Sequence, residues 1–115
     1  MSGVTDDAND IFTYIWEYRI KLDAESAFRE RYGPEGDWVR LFRMATGHIG
    51  TQLYQDREDP NRYVTVDRWE SEQAFRSFRE SFAAEFAELD KLCEDFTMSE
   101  TPLDSFADVQ GRVIP

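Results

Sequence analysis

Two side chains of this sequence have the chemistry to move a proton or to stabilise a negative oxygen. His48 is the single histidine, and imidazole is the side chain whose reference pKa lies near neutrality, so His48 is a candidate catalytic base. Tyr18 lies in an aromatic strand, and its hydroxyl is a second catalytic candidate that could stabilise a phenolate-like charge. Because His48 also follows Gly47 at a strand entrance, where an exposed histidine needs no function, we favour a purely structural histidine, and the catalytic base stays open as the alternative.

Aromatic side chains recur along the chain at the spacing of strands and helices. We favour a packed aromatic core, because stripes of this kind usually form the interior of a domain. The alternative is a cavity for a flat apolar ligand, since ligand cavities are mostly apolar with a few polar groups. The predicted substrate-binding residues are then Tyr14, Trp16, Trp38, Phe42, Phe78 and Phe82.

Asp67 and Cys93 are the remaining side chains that could carry chemistry. Asp67 interrupts an apolar strand just before Arg68. We favour an ion pair with a neighbouring arginine, and the alternative is a carboxylate in a pocket or at a subunit contact. One cysteine excludes an internal disulfide, and with one histidine it is too little for a Cys/His zinc site. Because no metal-spaced acidic motif, phosphate loop or flavin fingerprint is present, we expect neither a metal nor a cofactor.

Composition excludes several classes of protein. With 24 acidic and 13 basic side chains the formal charge is -11, which would repel nucleic acid and anionic membranes. Hydrophobic residues make up 41% of the 115 residues, too many for a disordered chain and enough for one domain. No run approaches the roughly 20 apolar residues of a membrane span, and the N-terminus lacks the pattern of a signal peptide. We therefore expect a cytoplasmic protein.

The region from Arg62 to Leu92 predicts a strand that leads directly into one long helix. Tyr63 to Trp69 is rich in β-branched and aromatic residues, and Ser71 can cap the helix that follows. The helix then presents one apolar stripe, which must be buried against another element. The stripe consists of Phe75, Phe78, Phe82, Phe86, Leu89 and Leu92.

Further elements are predicted on both sides of that region. A mobile arm (1–10) precedes a single domain (11–110), and a short tail (111–115) follows. Strand one alternates from Ile11 to Leu22, with Phe12 to Leu22 facing the core at every second position. Two helical segments are predicted next, a helix capped by Asp23 and a shorter piece, Trp38–Arg43, capped by Asp37. A strand, Gly47–Asp56, then forms a hairpin through the turn at 57–61. The last predicted strand is Leu103–Gln110, after Pro102, with Phe106 and Val109 as its apolar residues.

This order of elements, strand, helix, strand, strand, helix, strand, predicts an α+β fold. Right-handed crossovers convert it into a ferredoxin-like four-stranded antiparallel sheet with both helices on one face. The uncovered face of strand one carries Ile11, Thr13 and Ile15. Exposed apolar residues on a sheet favour a partner, and the simplest is a second copy in two-fold symmetry, so we expect a homodimer.

Three segments carry a resemblance to a known family. They are YIWEYRIKLD at 14–23, GHIGTQLYQDREDPNRYVTVDRW at 47–69 and the junction RWESEQAF at 68–75. Together they resemble the antibiotic biosynthesis monooxygenase (ABM) family of dimeric α+β barrels, over about Phe12 to Leu92. YGPEGDW at Tyr32 to Trp38 resembles one branch of that family. The resemblance implies the same ferredoxin-like fold.

The resemblance also implies a range of functions. Family members include cofactor-free oxygenases of polycyclic aromatic substrates and haem-degrading enzymes. The haem-degrading branch uses Asn, Trp and His where this chain has Tyr18, Ser77 and Glu88, so haem degradation is disfavoured. We expect a protein that binds a small aromatic or polyketide-like molecule and oxidises it without a cofactor. The alternatives are a non-catalytic ligand-binding or assembly protein, and an isomerase or cyclase with the same barrel.

Overall fold

A computed structural model of the protein describes residues 11–107. The predicted arm, the end of the predicted last strand with Val109, and the tail lie outside the described residues. Short 3₁₀ turns, Leu22–Ala24 and Glu94–Phe96, join some of the elements. The main elements are β1 (Phe12–Ile20), α1 (Glu25–Tyr32), α2 (Asp37–Arg43), β2 (His48–Gln55), β3 (Arg62–Trp69), α3 (Glu72–Ser81), α4 (Ala83–Cys93) and β4 (Thr97–Ala107).

The four strands form one antiparallel sheet in the order β2-β3-β1-β4. This is the predicted ferredoxin-like arrangement, and the prediction of an α+β fold is confirmed. The predicted hairpin between β2 and β3 is confirmed as well, with Gln55 opposite Tyr63 beside its turn. The sheet therefore brings β1 and β3, which are far apart in sequence, together as its central strands.

The helices cover one face of the sheet, which we call the inner face. Alternation along β1 and β3 sends Tyr18, Ile20, Tyr63 and Trp69 to this side, where they pack with aromatic side chains of the helices. The side chains with less than 2% exposure include Trp69, Tyr63, Phe28, Phe78, Ile20 and Cys93. The core is thus built mainly from rings that contact one another edge to face or in tilted pairs.

Helix capping follows the sequence prediction at one of three predicted positions. The Ser71 hydroxyl accepts a hydrogen bond from the Ala74 amide at 3.0 Å, as predicted. Asp23 does not cap α1, because the chain first makes a 3₁₀ turn and the cap position falls on Ala24. Asp37 is the first residue of α2 rather than its cap, and its carboxylate accepts hydrogen bonds from Arg31 and Arg40.

The long helix predicted up to Leu92 is in fact two helices. They meet at Phe82, whose φ of -115° and ψ of 29° leave the helical region, although its amide still bonds to the Phe78 carbonyl at 2.9 Å. The predicted burial of Leu92 is wrong, because the inward position one turn after Leu89 is Cys93, which is fully buried. Leu22 is also exposed, since β1 ends at Ile20 and its alternation ends there.

Strand β4 begins six residues earlier than predicted, at Thr97 instead of Leu103. Pro102 lies inside it, which is tolerated because β4 is an edge strand and a bulge at Leu103 interrupts its pairing with β1. The register places Phe106 opposite Thr13, on the outer face of the sheet. Phe106, an apolar residue of the predicted last strand, is therefore not part of the core, and its side chain is half exposed.

The outer face, which no described helix covers, is apolar in the middle and charged at one end. Ile15, Val64 and Val66 form the apolar part, with the half-exposed Tyr54 beside them. At the charged end, Arg62 forms ion pairs with Glu17 and Asp56. Within residues 11–107, no helix has the length and apolar content that a bilayer span requires.

Candidate functional site

A cavity of about 380 Å³ lies between the inner face of the sheet and the helices. This volume is in the range of small-molecule sites. Its wall is mostly aromatic, and the polar groups among the rings are three carboxylates, one guanidinium, two threonine hydroxyls and tyrosine hydroxyls. The wall consists of Tyr14, Trp16, Tyr18, Tyr32, Trp38, Phe42, Thr51, Thr65, Asp67, Phe75, Arg79, Phe86, Asp90 and Glu100.

Sheet register explains why the polar groups meet at this wall. Asp67 on β3 lies directly opposite Tyr14 of β1 and Thr51 of β2. Residues that pair directly across strands point to the same face, so these three side chains form one row across the inner face. Glu100 of β4 lies opposite Tyr18 and adds a carboxylate on the far side of β1.

A β-bulge at Ile49 brings His48 to the same face as Thr51. The register pairs His48 with Trp69 and Gly50 with Arg68, so Ile49 is the extra residue on β2. Without it, positions 48 and 51 would point to opposite faces, because side chains alternate along a strand. With it, His48 Nε2 lies 2.9 Å from the Thr51 hydroxyl oxygen.

Asp67 is the buried carboxylate of the cavity. Burial raises its pKa from the ordinary 3.8 to about 7, and a hydrogen bond from Thr51 opposes only part of that rise. Oδ1 of Asp67 is buried, and no described residue donates a hydrogen bond to it. The ion pair that we favoured from the sequence is absent among residues 11–107, and this interpretation was wrong because the side chain points into the cavity. A carboxylate with such a pKa can accept a proton near neutral pH.

The two buried tyrosines of the wall are neutral hydrogen-bonding groups. Burial raises the pKa of Tyr18 and of Tyr32 well above the ordinary value. The centroids of the two rings are 5.0 Å apart. Thr65 donates a hydrogen bond to the Tyr18 hydroxyl at 3.3 Å. The Tyr18 hydroxyl keeps its proton, so it can donate to a negative oxygen in the cavity.

Charged side chains from α3, α4 and β4 form another part of the wall. The guanidinium of Arg79 lies 4.1 Å from the centre of the Phe86 ring, and Asp90 lies on the same helix as Phe86. Burial raises the pKa of Glu100, whose carboxylate accepts a hydrogen bond from Thr97 at 3.1 Å. With three carboxylates and one arginine, this wall favours a neutral ligand rich in hydrogen-bond donors over an anionic one.

His48 does not line the cavity. Its ring packs against Phe42 and Trp69, with centroids 5.3 and 5.1 Å away, and Thr51 lies between it and Asp67. Burial lowers its pKa, and the nearby charge of Arg43 lowers it further. The imidazole is therefore neutral near pH 7, and it contacts the cavity wall through Thr51 and Phe42.

The other sequence-predicted site residues fall into two groups. Tyr14, Trp16, Tyr18, Trp38 and Phe42 line the cavity, whereas Phe78 and Phe82 do not. Phe78 is enclosed by Trp69 and Phe42, and Phe82 stacks on it with centroids 5.6 Å apart.

Several wall residues escaped the sequence prediction. Thr65 could have been found, because it lies on the same face of β3 as the buried Tyr63 and Trp69. Glu100 could not, since β4 was expected to begin after Pro102. No group of three or more His, Cys, Asp or Glu side chains within residues 11–107 is arranged to hold a metal ion.

The chain matches solved structures with the same fold. One is a Bordetella bronchiseptica protein assigned to the antibiotic biosynthesis monooxygenases, with 24% identity, a TM-score of 0.68, and 87% of this chain and 98% of that one covered. A second is SnoaB, a cofactor-independent oxygenase from Streptomyces nogalater, with 18% identity, a TM-score of 0.65, and coverage of 88% and 95%. A third is PA3566 from Pseudomonas aeruginosa, with 17% identity, a TM-score of 0.65, and coverage of 89% and 97%. At these identities the likeness establishes the fold alone.

Sequence comparison identifies the family directly. No curated protein matches the chain. The family model described as antibiotic biosynthesis monooxygenase matches residues 11–91, more than half of the 115 residues. The matched region contains all the elements from β1 to α3 and nearly all of α4. This chain therefore belongs to the antibiotic biosynthesis monooxygenase (ABM) family.

Proposed function

We propose that this protein binds a small, flat, phenolic or polyketide-like molecule in the cavity and oxidises it with molecular oxygen, using no metal or flavin. The observation that carries the proposal is Asp67, a buried carboxylate whose Oδ1 has no partner among the described residues and which lies in an aromatic wall. A buried acceptor without a partner is costly, so a ligand that donates a hydrogen bond there would be held in a defined orientation.

The wall can place an aromatic ligand with its oxygens toward polar groups. Rings from β1 and from the helices, among them Trp16 and Trp38, would contact the faces and edges of a flat molecule. A ligand hydroxyl would donate to Asp67, and the neutral Tyr18 hydroxyl would donate to a ligand oxygen that gains negative charge. In this arrangement Asp67 replaces His48 as the base that contacts the substrate, and Tyr18 keeps its proposed role.

The proposed chemistry draws its electrons from the substrate. Asp67 removes the hydroxyl proton from the enol tautomer of a ligand with an activated CH₂ group, and the electron pair is delocalised onto that carbon as a ring-stabilised carbanion. The carbanion forms a C–O bond with O₂, and protonation gives a hydroperoxide. Loss of the second C–H proton then breaks the O–O bond, so that CH₂ and O₂ become C=O and H₂O. Family membership and the likeness to a cofactor-independent oxygenase support this reaction class.

Oxygen uptake with a panel of anthrones and quinols tests the proposal. Asp67→Asn keeps the size of the side chain but removes the base, and we expect turnover to fall by about 100-fold or more, the usual contribution of a positioned base. Asp23→Asn, at an exposed carboxylate, is the matched control and should keep full activity. Uptake that is unaffected by Asp67→Asn would refute Asp67 as the base.

A proton-transfer enzyme such as an isomerase or cyclase is the second candidate. It is favoured by the same observation, because Asp67 with a pKa of about 7 can both accept and return a proton and needs no oxygen to do so. Anaerobic turnover of a panel substrate, with product of unchanged mass, would select this candidate over the oxygenase.

We further propose that the protein is a homodimer in which a second copy covers the outer face of the sheet. The support is the apolar part of that face, Ile15, Val64 and Val66, which the described helices leave uncovered. Two-fold pairing would bury this surface on both copies at once. The non-catalytic ligand-binding or assembly protein predicted as an alternative would share this dimer.

A further inference from the structure

The proton that Asp67 accepts must leave its buried carboxyl group before the next turnover. We propose that Thr51 and His48 form the path by which this proton leaves, so that His48 is a positioning residue that acts through Thr51 and not the base. The inference rests on the proposed function, because the proposed reaction is what supplies Asp67 with a proton. Its structural basis is a row of three polar side chains, in which Thr51 lies opposite Asp67 across the strands and contacts the half-buried imidazole of His48.

The chain of contacts is short and has one order. Thr51 lies directly opposite Asp67 in the pairing of β2 with β3, on the inner face of the sheet, and its hydroxyl oxygen lies 2.9 Å from His48 Nε2. A hydrogen bond from Thr51 lowers the pKa of Asp67. Oδ1 of Asp67 is buried and has no partner among the described residues.

A hydroxyl group can pass a proton in this arrangement without gaining charge. After Oδ1 has taken a proton from the ligand, rotation of the carboxyl group about Cβ–Cγ presents that proton to Thr51. The O–H bond of Asp67 then breaks as the Thr51 oxygen receives the proton, and the original Thr51 proton forms a new bond to Nε2 of His48. The neutral imidazole accepts it at Nε2, and the resulting imidazolium returns a proton to water.

The surroundings favour a transient stay of the proton on His48. Burial and the positive charge of Arg43 lower its pKa, while a hydrogen bond to the Gly50 backbone partly stabilises the charged form. The rings of Phe42 and Trp69 pack against the imidazole and carry no charge. Burial raises the pKa of Asp67 and a hydrogen bond from Thr51 lowers it, while Arg79, Asp90 and Glu100 are the other charged side chains that line the cavity.

The β-bulge at Ile49 is a second structural feature that supports the proposed relay. A regular β2 would send His48 to the outer face, away from Thr51. Bulges commonly redirect side chains next to active sites. Here the bulge puts the histidine on the cavity side while keeping it out of the cavity itself.

The first experiment measures proton coupling without any substrate. The Asp67 carboxyl carbon and the His48 ring nitrogens of isotopically labelled protein are titrated by NMR. We expect the pKa of Asp67 to rise in Thr51→Val, because a hydrogen bond from Thr51 lowers it in the wild-type protein, and to stay unchanged in Thr51→Ser, which keeps a hydroxyl. An Asp67 pKa that is the same in Thr51→Val as in the wild type would show that Thr51 does not contact the carboxylate and would overturn the relay.

The second experiment measures turnover with the panel substrate that gives the most oxygen uptake. Thr51→Val and His48→Gln should each lower kcat by about 100-fold with little change in KM, the size expected for loss of a proton-transfer group. Thr51→Ser keeps a hydroxyl and should retain kcat within a few-fold. Imidazole buffer should restore turnover in His48→Gln but not in Thr51→Val. Gln52→Ala, at an exposed position of the same strand, is the matched control.

The two proposals fail in different ways. If Asp67→Asn abolishes oxygen uptake but His48→Gln and Thr51→Val leave kcat unchanged, the relay is wrong and the proposed function stands. If no panel substrate gives uptake that depends on Asp67, the proposed function fails, and the NMR titration still decides the coupling. If Thr51→Val does not fold, the comparison of Thr51→Ser with His48→Gln decides the relay.

Discussion

The hydroxyl groups of Thr65 and Tyr18 form a buried pair, with 3.3 Å between the two oxygens and the threonine as donor. The pair joins the two central strands on the cavity side, where Thr65 lies between Tyr63 and Asp67 on the inner face of β3. The Tyr18 proton is thereby available to a ligand, because the threonine occupies only a lone pair of the phenol oxygen.

Replacement of Tyr18 by phenylalanine should weaken ligand binding and the fold together. The variant loses a donor to the ligand and leaves the Thr65 hydroxyl without its acceptor, a loss of about 1 kcal/mol of stability. Ligand affinity should fall about ten-fold, which corresponds to about 1.4 kcal/mol. Titration calorimetry with a panel quinol and urea unfolding measure the two effects. Tyr54→Phe, on the half-exposed outer face, is the control, and equal affinity of both variants would contradict the role of Tyr18.

The buried Asp67 should make the protein less stable as the pH rises. Its folded-state pKa of about 7 lies above the ordinary 3.8, so between these values the folded state binds a proton that the unfolded state has lost. The contribution of Asp67 to the free energy of unfolding is fully present below about pH 4 and is lost as the pH rises through 7. The total is about 4 kcal/mol from three pKa units.

Comparison with Asp67→Asn isolates this contribution from those of other titrating groups. The difference in unfolding free energy between the variant and the wild type should grow in favour of the variant from pH 4 to pH 7 and then level off. Urea unfolding at each pH supplies the values. A difference that is constant across this range would show that Asp67 titrates normally.

A charge on the outer face should disrupt the proposed homodimer. Val66→Glu places a carboxylate in the middle of the apolar part of that face, where a second copy would have to bury it without a partner. We expect the wild type to sediment as a dimer at micromolar concentration and the variant as a monomer. Ser77→Glu, on an exposed position of α3, should remain dimeric. A wild-type monomer at this concentration would refute the sheet-to-sheet contact.

Removal of the Ser71 cap should cost about 1 kcal/mol, the typical value for a helix N-cap. Ser71→Ala loses the acceptor for the Ala74 amide at the point where β3 leads into α3. Chemical unfolding of the variant measures the loss. Ser26→Ala, on the exposed surface of the first turn of α1, is the control and should be nearly neutral.

Local patterns in the chain were sufficient for most of the elements and for their arrangement. Alternation in β1 identified its inner face, and β-branched residues followed by Ser71 identified the junction of β3 with α3. These signals act between residues that are close in sequence, so they can be read without the fold. The order of the elements then left few chain paths, and the ferredoxin-like sheet followed from them.

Position and environment in three dimensions decided the rest. The bulge at Ile49 arises from the register in which β2 pairs with β3, and the residue type at position 49 does not indicate it. β4 starts at Thr97 because the residues from there onward pair with the edge of β1. The hydrogen bonds of this pairing outweigh the disruptive effect of Pro102. The break at Phe82 and the inward position of Cys93 reflect how the last helices pack on the sheet.

The sequence by itself determined the α+β fold, the family and the aromatic character of the interior, because these follow from residue type and short-range spacing. Only the tertiary structure decided that a cavity of about 380 Å³ remains among the rings, that Asp67 rather than His48 lines it, and that Thr51 joins the two. The physical reason is that a cavity and a shifted pKa are properties of the space between elements distant in the chain, where burial and partners are set by packing.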